Sequence, residues 1–327
     1  MNNSSGTSTV TPSSSGALSG AAKVAIALSV LGLAGVPVFT GMTDNAYVLT
    51  LVTRILIFAL AAVGLNIALG FGGMVSFGHA MYLGLGAYTV LVLQFFGIES
   101  GVLHLLGLLL VVSLVALVVG LIALRTHGIA FIMITLAFAQ LFYFLFVSLR
   151  VLGGDEGMTL PKLSQFGSLT NSPTARYYAV LACLLVVVYG THRLLGSRFG
   201  LVLRATRLNE RRVKAVGTST RPYRLLAYVL SALVCAMAGF FLANQTGFVS
   251  PAFLAWTLSG ELIVMVVLGG VGTVIGPVLG AGGLLLIEEL LKSWTGYWMM
   301  VVGPLIILIV LGLRGGLWGM VAGRFRA

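Results

Sequence analysis

Side chains able to do chemistry are scarce in this sequence, and the densest group is basic. Arg204, Arg207, Arg211 and Lys214 recur at intervals of three, four and three, a spacing that stacks them on one face of a helix. The reading is a helix from Leu201 to Val216, stopped by Gly217, with Val202, Ala205, Val213 and Val216 turned inward. Glu210 lies three after Arg207 and four before Lys214 and can brace either; Arg212 adds a further positive charge. Such a face binds; it does not make or break bonds. It suits either anionic lipid at a membrane surface or a cytoplasmic partner that grips the helix and moves it. Pro222, just ahead of the next apolar run, favours the partner, because it fixes the chain where motion would pass onward.

A second set of polar groups is embedded in hydrocarbon. "GFGGMVSFGHAMYLGLGAY", residues 70 to 88, places Ser76 and His79 among glycines, and "GGVGTVIGPVLGAGG", residues 269 to 283, repeats the pattern weakly with Gly269, Gly270 and Thr273. Glycine inside a helix costs about 1 kcal/mol relative to alanine. Gly72 and Gly73 therefore predict a broken membrane helix forming part of a translocation path or its inner gate, whereas Gly84 and Gly86 suit close helix packing. His79 fits a hydrogen-bonded structural residue as well as a solute contact. Asn66 and Gln140 can join helices or meet the polar end of a solute.

Several chemistries are excluded. The chain has no Gly-Lys dipeptide, hence no phosphate-cradling loop, and the G-x-G near Gly270 has no βαβ unit around it. Cys183 and Cys235 fall inside apolar runs without metal-ligand spacing. An ion-coupled secondary transporter stays open as the alternative of a different class, and it needs a buried carboxylate or histidine relay. Arg54 reads as an anchor reaching outer headgroups, Glu261 as a helix cap or the partner of Arg54 at an outer mouth, and Glu288, Glu289 and Lys292 as a solvated outer rim, which leaves the span centres almost without such groups.

The elements that position these residues follow from composition. Of 327 residues, 59% are hydrophobic and 8% charged, against roughly a quarter charged in soluble domains. The fold class is all-α: a polytopic transmembrane bundle of eight to ten spans with broken helices. Apolar runs cover 23–41, 47–71, 79–97, 101–124, 129–149, 177–195, 225–245, 259–271, 275–292 and 297–313, the eighth and ninth being short enough to form one broken hairpin. Residues 1–22 read as a disordered cytoplasmic tail, 23–320 as the transmembrane domain with the 197–224 loop, and 321–327 as a basic cytoplasmic end. Loops on one side hold Lys23, Arg125, nine basic residues from Arg193 to Arg224 and three more near the C-terminus against Glu210 alone. Basic loops stay in the cytoplasm, so both termini and the 197–224 loop are expected there, and the net charge of +11 reports topology rather than nucleic-acid binding. The loop from Arg150 to Arg176 is then the longest on the outside, suited to an external partner.

"GLNIALGFGGMVSFGHAMYLGLGAY", "GIAFIMITLAFAQL", "FGLVLRATRLNERRVKAVG", "YRLLAYVLSALVCAMAG" and "SGELIVMVVLGGVGTVIGPVLGA" together resemble the permease subunits of bacterial high-affinity branched-chain amino-acid ABC importers, the LivM type, over about residues 47 to 318. The resemblance implies a multi-pass protein of the bacterial plasma (inner) membrane that pairs with a second, homologous permease. Two cytoplasmic ABC ATPases would bind ATP and Mg and drive the pair by alternating access. An external solute-binding protein would deliver the substrate. The helix from Arg204 to Gly217 would be the coupling helix, with "NERRVKAVG" standing loosely where such importers carry their "EAA…G" loop. Leucine, isoleucine and valine are the implied substrates, with urea, amides and aromatic acids open because related permeases carry them.

Overall fold

A computed structural model describes residues 31–41, 45–166, 172–312 and 316–319; the expected tails, 1–22 and 321–327, lie outside them. The elements in order are α1 (Leu31–Gly41), α2 (Ala46–Asn66) continued by a π-helical turn (Ile67–Phe71), α3 (His79–Phe95), α4 (Gly101–Ala123), α5 (Ile129–Ser148), β1 (Met158–Thr159), α6 (Pro173–Gly196), α7 (Arg198–Ala215), α8 (Arg221–Thr246), β2 (Phe248–Val249), a 3-10 turn (Pro251–Leu254), α9 (Trp256–Gly269), α10 (Gly276–Trp294) and α11 (Trp298–Gly312). The two short strands pair antiparallel, Met158 opposite Val249.

Five helices are long and apolar enough to cross a bilayer: Ala46–Phe71, α4, α5, α6 and α8, of 20 to 26 residues. At ~1.5 Å per residue they reach ~30 Å or more, the thickness of the hydrocarbon. In α3, with 17 residues, and α9, with 14, the helix alone falls short of that. Both begin inside the bundle. His79, the first residue of α3, meets Ser231 well within α8, and Ser259 near the start of α9 accepts a hydrogen bond from the Ala80 amide at 2.9 Å. The chain reaches α9 through the 3-10 turn, whose Leu254 packs against Gly84 of α3. The eighth and ninth apolar runs are thus two separate helices in a tight hairpin, so close that a Cβ on Gly280 would lie 1.8 Å from the Met265 carbonyl oxygen.

The core lies where α2, α3 and α8 cross. Residues from Leu56 to Ala68 and Ala80 to Leu91 are buried almost without interruption. The α3–α8 crossing depends on glycine: a Cβ at Gly239 would come 1.8 Å from Leu83 O and one at Gly86 2.1 Å from Ala236 O. Small residues let membrane helices approach to backbone contact. By contrast α4 exposes Leu103, Leu106, Leu110, Leu114, Leu117 and Leu121, the surface a helix turns to lipid.

Loops assort to two ends. At one, called here the α7 end, Gly70, Gly73, His127 and Gly272 lie against α7. At the other, the ribbon end, Lys162 pairs with Glu99 at 2.7 Å beside the β1–β2 ribbon.

Candidate functional site

The two glycine-rich stretches, some two hundred residues apart, meet at the α7 end. Asn66, 1% exposed, donates through Nδ2 to Thr273 O at 2.7 Å and accepts through Oδ1 from the Gly272 amide at 3.1 Å. One side chain so satisfies both a backbone donor and an acceptor of the second loop. The π turn beyond Asn66 exists because Gly70 has no side chain: a Cβ there would sit 1.9 Å from Asn66 Oδ1 and 2.7 Å from the Gly272 amide. Thr273 steadies its own loop, donating to Gly270 O at 2.8 Å and accepting from the Gly276 amide at 3.1 Å, while Gly269 lies against the Gly276 backbone.

Arg207 of α7 enters this junction. Its Nη1 donates to Gly70 O, and its side chain runs past Gly73 and Gly272, both at positive φ (66° and 79°). Asn66, Gly73, Gly269, Gly270, Thr273 and Arg207, placed in two groups by sequence reasoning, thus form one site, while Gly72 lies beside it against Ala68 and Met74.

The expected unbroken helix from Leu201 to Val216 is corrected. Asn209 has φ −158° and ψ 98°, which divides α7 into two helical halves. Its side-chain oxygen accepts from the Arg212 amide at 3.1 Å, the N-cap geometry that starts a new helix. The basic residues consequently do not share one face. Arg204 turns back to the Leu195 and Gly200 carbonyls at 3.0 and 3.3 Å, Arg207 enters the glycine junction, and Arg211 and Arg212 stay exposed. Gly217 stops the second half at φ 85°, as expected. Val216, expected inside, is 84% exposed, as is Leu208 at 87%.

Glu210 braces Lys214 and not Arg207. Its carboxylate meets Lys214 Nζ at 2.8 Å, Thr220 Oγ1 at 2.9 Å, Arg224 Nη1 at 3.2 Å and His127 Nε2 at 3.2 Å. Burial works against its charge, but the hydrogen bonds from Lys214 and Thr220 and the charges of Arg224 and Lys214 prevail, holding the carboxyl down at about 2. The second half of α7 is thereby tied to the start of α8 and to the α4–α5 loop. His127 and Arg224 were not singled out by sequence; the signal available was the Asn209-Glu210 cap.

Ser76 and His79 lie away from this junction, in a buried network. Ser231 Oγ donates its one hydrogen to Gly64 O at 2.6 Å, so at 2.8 Å from His79 Nε2 it must accept. His79 is therefore the Nε2–H tautomer, and its Nδ1 is buried without a partner among the described residues. Tyr82 and Tyr228 stand edge-on to the imidazole and bond each other at 3.1 Å, and Tyr228 also reaches Ser76. Gln140 stands apart, half-buried on α5. Among the described residues no three His, Cys, Asp or Glu side chains are placed to hold a metal.

A family model described as "Branched-chain amino acid transport system / permease component" matches residues 47–312. The chain belongs to this family. It is 28% identical to the high-affinity branched-chain amino acid transport system permease protein LivM of Escherichia coli (strain K12), over 82% of this chain and 69% of that protein. Similarity extends to the probable LivM permease of Methanocaldococcus jannaschii, 25% identical over 73% and 79%, and to LivH of Escherichia coli (strain K12), 26% identical over 80% and 91%. No solved structure matches the chain. The protein is thus a multi-pass inner-membrane permease subunit of an ABC importer.

For such a permease, the charges within the spans take on weight, and two expectations about them are corrected. Glu288 is not on a solvated rim: it is 9% exposed, 3.8 Å from Lys292, some twelve residues into α10. Glu289 accepts a hydrogen bond from Tyr47. Glu261 lies inside α9 and not at its N-cap, which is Ala255. It shares a cavity of about 250 Å³ with Glu288. Arg54 lays its guanidinium over the Phe58 ring at 5.7 Å and makes no ion pair within 4 Å of Glu261. The span centres are therefore less empty of ionisable groups than the sequence suggested.

Proposed function

We propose that this permease, paired with a second homologous permease, carries branched-chain or chemically similar amino acids delivered by an external solute-binding protein. Two cytoplasmic ATPases, binding ATP and Mg, hold α7 as the coupling helix, and the α7 end with both chain termini faces the cytoplasm. Support for the orientation comes from the basic residues of α7 and its flanks. Support for the substrate comes from the names of the LivM and LivH relatives. Urea, amides and aromatic acids are the alternative cargo.

The observation that carries the mechanism is Arg207. It links the first half of α7 to Gly70, and Asn66 links that turn to Gly272 and Thr273. A pull on α7 is thereby delivered to two broken-helix loops at once. Glu210 holds the second half to α8. Between them Asn209 lets one half shift against the other. Arg211, Arg212, Leu208 and Val216, exposed on α7, form the surface offered to the ATPase.

The test is charge reversal at that surface. Arg211→Glu with Arg212→Glu is expected to abolish uptake and binding-protein-stimulated ATPase activity while the permease stays folded in the membrane, since exposed substitutions shift stability by about 0.5 kcal/mol or less. Retained uptake and stimulation would show that α7 does not dock the ATPase. Uptake by the reconstituted complex of leucine, urea, an amide and an aromatic acid, each offered singly, identifies the cargo. A second reading, ion-coupled transport, draws on the Glu261–Glu288 cavity; uptake driven by an ion gradient without ATP would select it.

A further inference from the structure

Three ionisable side chains on α2, α9 and α10 stand at membrane depth. Counting ~1.5 Å per residue, Arg54 is ~18 Å along α2 from Asn66, Glu288 ~18 Å along α10 from Gly276 and Glu261 ~12 Å along α9 from Gly269. Those three reference residues sit together at the α7 end. A slab of hydrocarbon is ~30 Å thick, so the charges lie well inside it.

Glu288 is buried, but Arg54 and Glu261 are exposed on this chain, with Thr50 and Thr257 exposed on the same two helices. Beside them the cavity of about 250 Å³ opens between α9, α10 and α11, with Val264, Leu284, Val302 and Ile306 completing its wall. One turn away, Phe77 from the 72–78 segment meets Trp256 with ring centroids 6.4 Å apart, and Gly260 lies against the Phe77 ring. Charged side chains at this depth are costly against acyl chains and face a bundle interior or a wet cavity instead. On α4, in contrast, the exposed stripe holds leucine and no charged residue. One surface of the chain is made for lipid and the other is not.

We infer that the second permease packs on the face bearing Thr50, Arg54, Thr257 and Glu261, and that the translocation path runs along this seam past the Phe77–Trp256 pair. The inference rests on the two-permease reading given above. Charge complementarity selects the occupant: a neighbour with polar groups, or a water-filled path between the two, leaves Arg54 and Glu261 solvated, and lipid does not. Glu261 and the broken start of α9 then lie on the route of the solute, and α4 lies on the outer surface of the assembly.

The experiment uses the complete importer in native membranes, with Cys183 and Cys235 replaced by alanine. Thr50→Cys, Thr257→Cys and Leu110→Cys are each labelled with a thiol-anchored photo-crosslinker, and adducts are identified by mass spectrometry. Adducts with the second permease from Thr50→Cys and Thr257→Cys, and none from Leu110→Cys, are expected. A lipid-dissolved reagent should label Leu110→Cys at least tenfold more than Thr257→Cys. Adducts with the second permease through Leu110→Cys, or lipid labelling of Thr257→Cys equal to that of Leu110→Cys, would overturn the assignment while leaving the importer reading intact. Self-adducts of this chain at Thr257→Cys would overturn a distinct second permease as the occupant. A purified complex without any second permease removes both readings.

Discussion

Replacing Asn66 with alanine tests the junction most directly. The side chain makes two hydrogen bonds to backbone groups of the α9–α10 loop, at 2.7 Å to Thr273 O and 3.1 Å from the Gly272 amide. Removing one partner of a buried hydrogen bond costs about 1–3 kcal/mol when the other is left unsatisfied, whereas polar contacts between membrane helices average nearer 0.6 kcal/mol. Asn66 itself is buried, but Gly272 and Thr273 are half-buried and recover some hydration. The lower part of the range therefore applies, about 2 kcal/mol for the pair. Arg207→Ala acts on the same loops through Gly70; the double substitution should be non-additive by at least about 0.5 kcal/mol, as neighbours sharing partners are. Equilibrium unfolding of the detergent-purified importer gives the stability, and proteoliposome uptake with ATPase activity gives coupling. Asn66→Ala is expected to keep basal ATPase activity, lose most uptake and lose about 2 kcal/mol. Stability within about 0.5 kcal/mol of the parent with full uptake would refute the claim that Asn66 joins the two loops.

Further outcomes follow from other contacts. The folded Glu210 carboxyl sits at about 2 against an ordinary 4.5, so its stabilisation is full above pH ~4.5 and is lost as pH falls toward about 2; amide-exchange protection over 210–217 should weaken in that window in the parent and be pH-independent in Glu210→Gln. Gly239→Val puts side-chain atoms where a Cβ alone would lie 1.8 Å from Leu83 O, and should prevent assembly of the importer, read as loss of the intact complex on size exclusion. Ser231→Ala orphans the His79 Nε2–H, and a loss of about 1–3 kcal/mol is expected; unchanged uptake kinetics in the folded fraction would mark His79 as structural, whereas a changed KM for the solute would place it on the path.

Much of this was legible because a bilayer imposes a simple rule. Runs at 47–71, 101–124 and 129–149 reappear as Ala46–Phe71, Gly101–Ala123 and Ile129–Ser148, since twenty apolar residues have few options but a helix. The glycine-rich breaks were visible for the same reason. Their meeting through Asn66 was not, because a contact across two hundred residues leaves no local periodicity. The break in α7 was missed although Asn209 is a favoured cap residue: neighbouring charges at helical spacing masked it. Glu288 was misplaced on a rim because an "EEL" near a helix end looks solvated in sequence, and only the packing of α9, α10 and α11 puts it inside.

The chemistry of the two ties on α7 differs in a way that matters for movement. Glu210 gathers four partners, including two cations fixed by charge, and its release would leave a half-buried carboxylate and the buried Arg224 unpaired. Arg207 instead holds a neutral carbonyl, Gly70 O, from an exposed stem. Released, the guanidinium returns to water and the carbonyl loses one acceptor contact, a net change of about 1.5–3 kcal/mol for a hydrogen bond to a charged group. Arg207 is therefore the weaker of the two ties, although the first half also buries Gly200, Leu203 and Thr206, and the Asn209 kink lies between the ties. A pull on α7 should consequently release Arg207 from Gly70 O before it separates Glu210 from α8.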